Sequence, residues 1–213
     1  MKLGLLGGTF NPIHLAHLRI AEEACEAAGL DQILFIPAAD PPHKPLARGV
    51  SFNLRAGMVQ QAIAENPRFG LSDIETRRSG KSYTVHTLQI LKQERPDDEL
   101  HFVIGSDSFL ELGLWHRYDE LFTLASLIVI ERPGKLILNP LQQLPKSVRS
   151  DFLLERTNLL RHRSGTTICF YQGVHLDIAS SRLRELLADG HSIRYLVPPV
   201  VEEYIAQKGL YRL

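Results

Sequence analysis

Residues 3–17 read LGLLGGTFNPIHLAH and contain the strongest local signals for the fold. Residues 3–6 are a short apolar run that ends in a glycine pair, a pattern typical of a buried strand followed by a turn. After Asn11 and Pro12, apolar residues recur at helical spacing as far as Ala28. The stretch therefore predicts a strand, a glycine turn and a helix in succession.

The alternation of strand and helix continues along the chain. Residues 33–36 predict a second buried strand that stops at Pro37, which completes a βαβ unit with parallel strands. Further strands are predicted near residues 69–72, 100–104, 126–130 and 168–171, and helices near 54–64, 84–93, 181–188 and 199–208. We therefore predict an α/β fold with a doubly wound parallel sheet and one hydrophobic core.

The domain organisation follows from the length of the chain and from its least regular part. With 213 residues, we expect a single domain over residues 1–213, with a small helical C-terminal part from about residue 178. Residues 136–163 have weak periodicity, so we expect an insertion or a partly mobile segment there.

Charge and cysteine content exclude several classes of protein. The chain has 24 Lys plus Arg and 24 Asp plus Glu, which gives no reason to expect a nucleic acid as partner. Cys25 and Cys169 show no CxxC spacing, which argues against a disulfide framework or a thiolate zinc site. No apolar run resembles a signal peptide or a membrane span, so we expect a cytoplasmic protein without a membrane partner.

The turn after the first strand is a candidate phosphate site. Free N–H groups and the helix dipole favour an anion at such a strand-to-helix junction, and glycines let the backbone approach it. We expect Asn11 to be the N-cap and Pro12 the first helical residue, which places His14 and His17 on one face of the first turn. The alternatives are that the glycines merely turn the chain and the histidines are surface residues, or that the pair holds a metal; a single histidine would more often be incidental. A Walker loop is excluded, because no Gly-Lys-Ser/Thr follows.

Other polar segments also follow predicted strands. In parallel sheets ligands bind beyond the carboxyl ends of the strands. Residues 7–17, 37–44, 105–107 and 132–134 should therefore gather at one rim.

The run Gly8-Thr9-Phe10-Asn11-Pro12, with His14 and His17 after it, resembles the HxGH nucleotidyltransferases, and among them the bacterial adenylyltransferases of nicotinate mononucleotide. The resemblance implies a Rossmann-like nucleotidyltransferase fold and transfer of AMP from ATP. It assigns ATP contacts to Gly7, Gly8, Thr9, Phe10, His14 and His17, the two histidines being catalytic.

Residues 178–184, IASSRLR, form a second candidate phosphate motif. By themselves they are also typical of an ordinary helix start. The segment is similar to the ISSxxIR signature of the same family, which implies that Ser180, Ser181 and Arg184 bind the ATP phosphates and that Arg184 is catalytic. Ala179 departs from that signature, and Ala16 stands where the family usually has glycine.

The resemblance also implies an acceptor site for nicotinate mononucleotide. Trp115 would stack on the pyridine ring, backbone near Thr84 and His116 would meet its carboxylate, and Asp107 would hold ribose hydroxyls. The residues implied on the acceptor side are Lys44, Tyr83, Thr84, Asp107, Trp115 and His116, while Gly105, Asp107 and Arg132 are implied near ATP. Each has an alternative: a core tryptophan, a capping aspartate, a solvated lysine, or a turn with an exposed arginine.

By resemblance, the reaction is an in-line attack of the acceptor phosphate on the α-phosphorus of ATP, with Mg²⁺ bound to the triphosphate. Nicotinamide mononucleotide or phosphopantetheine remains open as the acceptor, and so does a nucleotide-sensing module without turnover. A tRNA-charging domain is disfavoured by the neutral charge. The sequence leaves a homo-oligomer open.

Overall fold

The computed structural model describes residues 1–41, 50–131, 137–174 and 176–211. The strands are β1 (Lys2–Gly8), β2 (Gln32–Pro37), β3 (Phe69–Leu71), β4 (Glu99–Gly105), β5 (Ser126–Glu131), β6 (Phe152–Arg156), β7 (Leu159–His162) and β8 (Thr167–Gln172). The α-helices are α1 (Leu15–Ala28), α2 (Phe52–Ile63), α3 (Thr84–Glu94), α4 (Ser106–Leu110), α5 (Tyr118–Leu124), α6 (Pro140–Gln143), α7 (Ser180–Ala188) and α8 (Pro199–Gln207). Short 3-10 helices cover Ile74–Arg77, Leu112–Leu114 and Arg149–Asp151.

The described strands form one eight-stranded sheet in the order β3-β2-β1-β4-β5-β8-β7-β6. From β3 to β8 all neighbours are parallel, whereas β7 pairs antiparallel with both β8 and β6. The predicted parallel α/β sheet is therefore confirmed. The strand order reverses between β1 and β4, and a crevice for ligands is expected at that switch point.

The antiparallel hairpin corrects the expectation of an irregular segment at residues 136–163. Strands β6 and β7 extend the edge of the sheet, and α6 precedes them. Only Phe152 of β6 is buried, and the adjacent Leu153 and Leu154 are both exposed. The alternation of apolar and polar residues that marks a strand is therefore missing from this part of the sequence.

Helices cover both faces of the sheet, so the side chains that alternate along each strand enter two apolar clusters. On one face Leu5 and Phe102 pack with residues of α3 and α5. On the other face Leu6 and Val103 pack with residues of α1, α2 and α8. The expectation of one hydrophobic core was wrong in this respect, because the sheet itself separates the two clusters.

The helix α1 ends at a residue that the sequence marks clearly. Gly29 adopts the left-handed conformation at φ 60°, and its N–H donates to the carbonyl of Cys25. Glycine has no Cβ to oppose this geometry, so the chain can turn directly into β2.

None of the helices that the structure describes is long and apolar enough to cross a membrane.

Candidate active site

The loop after β1, residues 9–14 and here called the β1 loop, is anchored by a buried aromatic ring. Phe10 is 1% exposed, and its ring contacts His17 edge-on at 5.0 Å and Phe35 at 5.8 Å between centroids. Its φ of 46° lies in the left-handed region, which costs about 1–2 kcal/mol for a non-glycine residue. Burial of the ring, worth about 1.5–3 kcal/mol, offsets that cost. An ATP contact at Phe10 would therefore involve its backbone only.

The start of α1 differs from the expected one. The N-cap is His14, with extended backbone at φ −148°, and the helix begins at Leu15 rather than at Pro12. Asn11 was expected to cap the helix, but its side-chain oxygen accepts a hydrogen bond from the Tyr211 hydroxyl at 2.6 Å. Asn11 therefore lies three residues before the cap and bonds to the C-terminal part of the chain instead.

The two histidines lie together, as their spacing predicted. The imidazoles of His14 and His17 are stacked with 3.7 Å between centroids and an interplanar angle of 26°. The backbone N–H of His14 donates to Nδ1 of His17 at 3.3 Å, which fixes the second ring across the start of the helix. His14 is buried and His17 half-buried. The pair is thus held at the N-terminus of α1, where a bound phosphate is favoured.

The second motif contacts the β1 loop directly. Nη1 of Arg184 donates to the carbonyl of Asn11 at 2.7 Å, and Oγ of Ser180 donates to the carbonyl of Pro12 at 2.9 Å. Ser181, by contrast, is exposed. The structure therefore brings Ser180 and Arg184 to the first motif across more than 160 residues of sequence. Their predicted contacts with ATP phosphates stay a prediction.

An arginine that the sequence did not single out also holds this loop. Arg55 of α2 is fully buried, and it donates from Nη1 to the carbonyl of Thr9 and from Nη2 to the carbonyl of Ala38, both at 2.7 Å. Ala38 lies in the loop that follows β2, residues 38–41, here called the β2 loop. Its backbone N–H also donates to the carbonyl of Gly8 at 2.9 Å.

Gly7 and Gly8 close β1 at the switch point. Gly7 is exposed although it belongs to a central strand, so the rim is open there. A small cavity of about 30 Å³ lies beside it, enough for one water molecule. Its lining includes Glu75, Thr84, Thr87 and Phe102.

Of the expected acceptor residues, Thr84 lines this cavity, and Tyr83, Trp115 and His116 lie close to it. Thr84 is the first residue of α3 and Tyr83 its N-cap, and the Tyr83 ring lies 4.3 Å from that of the exposed His116. Trp115 is half-buried and meets the Phe102 ring edge-on at 6.2 Å. Trp115 therefore contacts Phe102 through its ring, and Thr84 lines the same cavity as Phe102.

Gly105 and Asp107 lie where β4 ends. Gly105 is the N-cap of α4, and Asp107 is in the first turn of that helix. Because β1 and β4 are parallel neighbours, these residues share the rim with the β1 loop.

The structure adds Arg78 and His86 to the acceptor side. Arg78 donates from Nη1 to the carbonyl of Lys81 at 2.6 Å, while its Nε and Nη2 are buried and find no hydrogen-bond partner within the described residues. Burial lowers the pKa of His86, and the neighbouring Arg78 and His116 lower it further. No motif marked these residues, because an arginine before a glycine turn and a histidine inside a helix are ordinary in sequence.

Two predicted residues cannot be placed. Lys44 and Arg132 lie outside the described residues. Their assignments to the acceptor and to adenine stay predictions.

Known proteins similar in sequence share one description. A model of the cytidylyltransferase-like family matches residues 5–186. The chain is 72% identical over 212 residues to a probable nicotinate-nucleotide adenylyltransferase of Trichlorobacter lovleyi, with all of both chains covered. A probable nicotinate-nucleotide adenylyltransferase of Pelobacter propionicus is 54% identical, with 99% of this chain and 98% of that one covered.

Solved structures support the fold. The nicotinic acid mononucleotide adenylyltransferase of Plasmodium falciparum, complexed with NaAD, superposes on this chain with a TM-score of 0.77 at 22% identity. The superposition includes 99% of this chain and 97% of the Plasmodium falciparum chain. A putative nicotinate-nucleotide adenylyltransferase from Vibrio parahaemolyticus superposes with a TM-score of 0.66 at 19% identity, covering 99% and 96%. At such identities the superpositions establish the shared architecture.

Proposed function

Because the chain belongs to the cytidylyltransferase-like family and, within it, to the nicotinate-nucleotide adenylyltransferases, we propose that it transfers AMP from ATP to nicotinate mononucleotide. The products are nicotinate adenine dinucleotide, or deamido-NAD, and pyrophosphate, in NAD biosynthesis. The observation that carries the proposal is the stacked His14–His17 pair at the start of α1, with Arg184 bonded to the same loop.

The chemistry needs positioning more than proton transfer. An oxygen of the acceptor's 5′-phosphate attacks the α-phosphorus of ATP, a new P–O bond forms, and the bond to the bridging oxygen breaks as pyrophosphate leaves. A phosphate monoester loses its second proton at about pH 6, so the nucleophile is already anionic at neutral pH. The chain then has to hold two anions in line and stabilise charge on the leaving group.

The phosphate-binding roles follow from the groups around the β1 loop. His14, His17 and the loop N–H groups would contact the α- and β-phosphates, at the positive end of the α1 dipole. Arg184 has five N–H donors, and the Asn11 carbonyl takes one from Nη1, so the rest of the guanidinium is available for the β- and γ-phosphates. Ser180 would position the loop, while the exposed Ser181 could donate to the triphosphate.

The acceptor would occupy the rim beside Gly7, over the small cavity. Trp115 offers an aromatic face for the pyridine ring, and the N-terminus of α3 at Thr84 suits its carboxylate. Tyr83 and His116 would close the side of this pocket, and Asp107 would accept from ribose hydroxyls.

We also propose that Mg²⁺ arrives with ATP. The side chains around the β1 loop include imidazoles, a guanidinium and hydroxyls, which suit phosphate oxygens, and the described residues include no group of three or more His, Cys, Asp or Glu arranged to hold a metal. Mg²⁺ in such sites is held largely by substrate phosphates and water. It would neutralise part of the triphosphate charge.

The test is pyrophosphate release by the purified protein with ATP and Mg²⁺, offered nicotinate mononucleotide, nicotinamide mononucleotide or phosphopantetheine separately. We expect nicotinate mononucleotide to react fastest. Equal rates with the amide would overturn the role of the α3 N-terminus in recognising a carboxylate. If none of the three acceptors leads to pyrophosphate release while ATP binds tightly, the protein is a nucleotide sensor without turnover.

The cytoplasmic location, the homo-oligomer left open by the sequence, and the organisation of residues 1–213 as one domain with a helical part from about 178 stay predictions.

A further inference from the structure

Arg55 is a buried charge without a role in the chemistry described above. It is fully buried in α2, and each of its two terminal nitrogens donates to a carbonyl of a different loop. One carbonyl belongs to Thr9 in the β1 loop, which carries the ATP site, and the other to Ala38 in the β2 loop. At 2.7 Å both bonds have the length of charge-assisted hydrogen bonds.

The β2 loop is held from its other side by residues of the acceptor half. The N–H of Ala39 lies 3.3 Å from the Glu75 carboxylate, which also accepts from the hydroxyl of Thr87 in α3 at 2.9 Å. Oγ of Ser82 accepts from the N–H groups of Ala39 and Asp40 at 3.1 and 3.0 Å. Ser82 directly precedes Tyr83 and Thr84.

These bonds form one continuous chain between the two halves of the site. It runs from the β1 loop through Arg55 to the β2 loop, and from there through Glu75 and Ser82 to the start of α3. Glu75 is itself buried, at 8% exposed.

The fold alone gives little reason for a guanidinium at this position. Burying a charge is costly, and replacing buried ions by apolar residues of similar volume is often neutral or stabilising. Met58 and Val59 on the same helix show that α2 packs through apolar side chains. Burial lowers the pKa of the Arg55 guanidinium, yet arginine keeps its charge in proteins. The two bonds to two loops are what an apolar side chain could not supply.

We propose that Arg55 is a positioning residue that fixes the β1 loop relative to the β2 loop, and thereby sets the alignment of the acceptor phosphate with the α-phosphorus of ATP. The inference rests on the proposed function. It assigns to Arg55 the geometry between the two substrates rather than the binding of either.

This role has a distinctive kinetic signature. In the proposed arrangement most contacts of each substrate lie in one half of the site, so loosening the link leaves the affinity for each substrate nearly unchanged. A misplacement of about 1 Å between reacting groups can cost about a hundredfold in rate. A ligand that spans both halves gains affinity from their fixed spacing and loses it when the spacing becomes variable.

The experiment compares Arg55→Lys with the wild-type enzyme. Lysine keeps the charge but cannot donate to both carbonyls in the planar fork geometry of a guanidinium. We expect kcat to fall at least about tenfold, with both KM values changed by less than about threefold. Binding of a non-hydrolysable ATP analogue and of nicotinate mononucleotide should be nearly unchanged, whereas binding of deamido-NAD, which spans both halves, should weaken by about tenfold.

Ile63→Ala is the matched control. Ile63 is a buried residue of α2 that packs in the apolar cluster. This variant should lower Tm while kcat per folded molecule and the affinity for deamido-NAD stay at the wild-type values.

If Arg55→Lys does not fold, Glu75→Gln tests the same chain of bonds from the acceptor side. We expect kcat and the affinity for deamido-NAD to fall by less than in Arg55→Lys, with both KM values again nearly unchanged. Either folded variant with wild-type kcat and wild-type affinity for deamido-NAD overturns the inference, and so does a loss confined to the KM of one substrate. Failure of the wild-type enzyme to form a dinucleotide would instead refute the proposed function.

Discussion

The two imidazoles at the start of α1 have a structural task in the fold and, in the proposed mechanism, a chemical one. Nδ1 of His17 accepts the N–H of His14, which is a capping interaction, and the same ring stacks on His14 at 3.7 Å. A variant at His17 therefore changes stability as well as phosphate binding, and the two effects have to be separated.

We predict that His17→Ala lowers turnover by about a hundredfold or more, because it removes a charge-stabilising donor from the phosphate site. It should also lower the free energy of unfolding by about 1 kcal/mol through loss of the cap. Steady-state kinetics and chemical denaturation measure the two quantities.

His17→Asn is the matched control for that prediction. The amide oxygen supplies an acceptor for the N–H of His14 without an imidazole, so the cap is retained. We expect stability close to wild type and turnover as low as that of His17→Ala. Near-normal turnover in both variants would remove His17 from the catalytic machinery.

At the scale of elements, the β6–β7 hairpin depends on a buried histidine. His162 is 5% exposed, its ring packs against Phe152 at 4.9 Å and Phe122 at 5.9 Å, and its Nδ1 accepts the N–H of Ser164 at 3.2 Å. Burial lowers the pKa of this imidazole. Burial therefore favours the neutral form of the ring in the folded protein.

We predict that acid destabilises the protein partly through His162. In the unfolded chain a histidine takes up a proton near pH 6.5, whereas the folded ring resists protonation to lower pH. Between those two pKa values the unfolded state binds more protons, so stability is present above about pH 6.5 and decreases as the pH falls below it.

The His162→Asn variant, compared with wild type by urea unfolding at about pH 7.5 and about pH 5.5, measures this contribution. It keeps an acceptor for Ser164 but loses the ring contacts and the titration. We expect it to be less stable than wild type at the higher pH and to lose less stability on acidification. An equal acid-induced loss in both proteins would show that His162 does not contribute.

At the scale of the whole molecule, the two ends of the chain meet in the site. The hydroxyl of Tyr211 donates to Asn11 in the β1 loop at 2.6 Å, and burial raises the pKa of that hydroxyl, which keeps it protonated. Tyr211 therefore helps to hold the β1 loop, where the phosphate site is proposed.

We predict that Tyr211→Phe lowers kcat by more than its effect on stability explains. Loss of the hydroxyl removes a hydrogen bond worth about 1 kcal/mol and loosens the β1 loop, at a cost in kcat of up to about a hundredfold. Tyr171→Phe is the matched control, since its hydroxyl donates to the carbonyl of Ala27 at 2.8 Å, away from the β1 loop. It should lose similar stability and keep its kcat. If kcat falls equally in the two variants, the hydrogen bond from Tyr211 to the β1 loop does not support catalysis.

Much of the fold could be predicted because its elements carry strong local signals. Apart from the start of α1, which was expected at Pro12 and lies at Leu15, the predicted strands and helices agree with the structure to within about two residues, whereas the short helices α4, α5 and α6 were not predicted. The hairpin at β6–β7 was missed because its exposed leucines hide the strand pattern. The N-cap was assigned to Asn11 because asparagine favours that position locally, whereas in the structure His14 is the N-cap and the Asn11 side chain accepts from Tyr211.

From the sequence alone one could predict the order of the elements, the placement of His14 and His17 together at the start of α1, and the position of the β1 loop and residues 105–107 at one rim of a parallel sheet. These follow from side-chain type, local spacing and the geometry of parallel strands. Only the tertiary structure decided how the β1 loop is held, by Arg55, Ser180, Arg184 and Tyr211. Three of these four bonds end on backbone carbonyls. Every residue has a chemically equivalent backbone carbonyl. The sequence of the loop therefore cannot indicate which carbonyls will accept a hydrogen bond from a distant side chain.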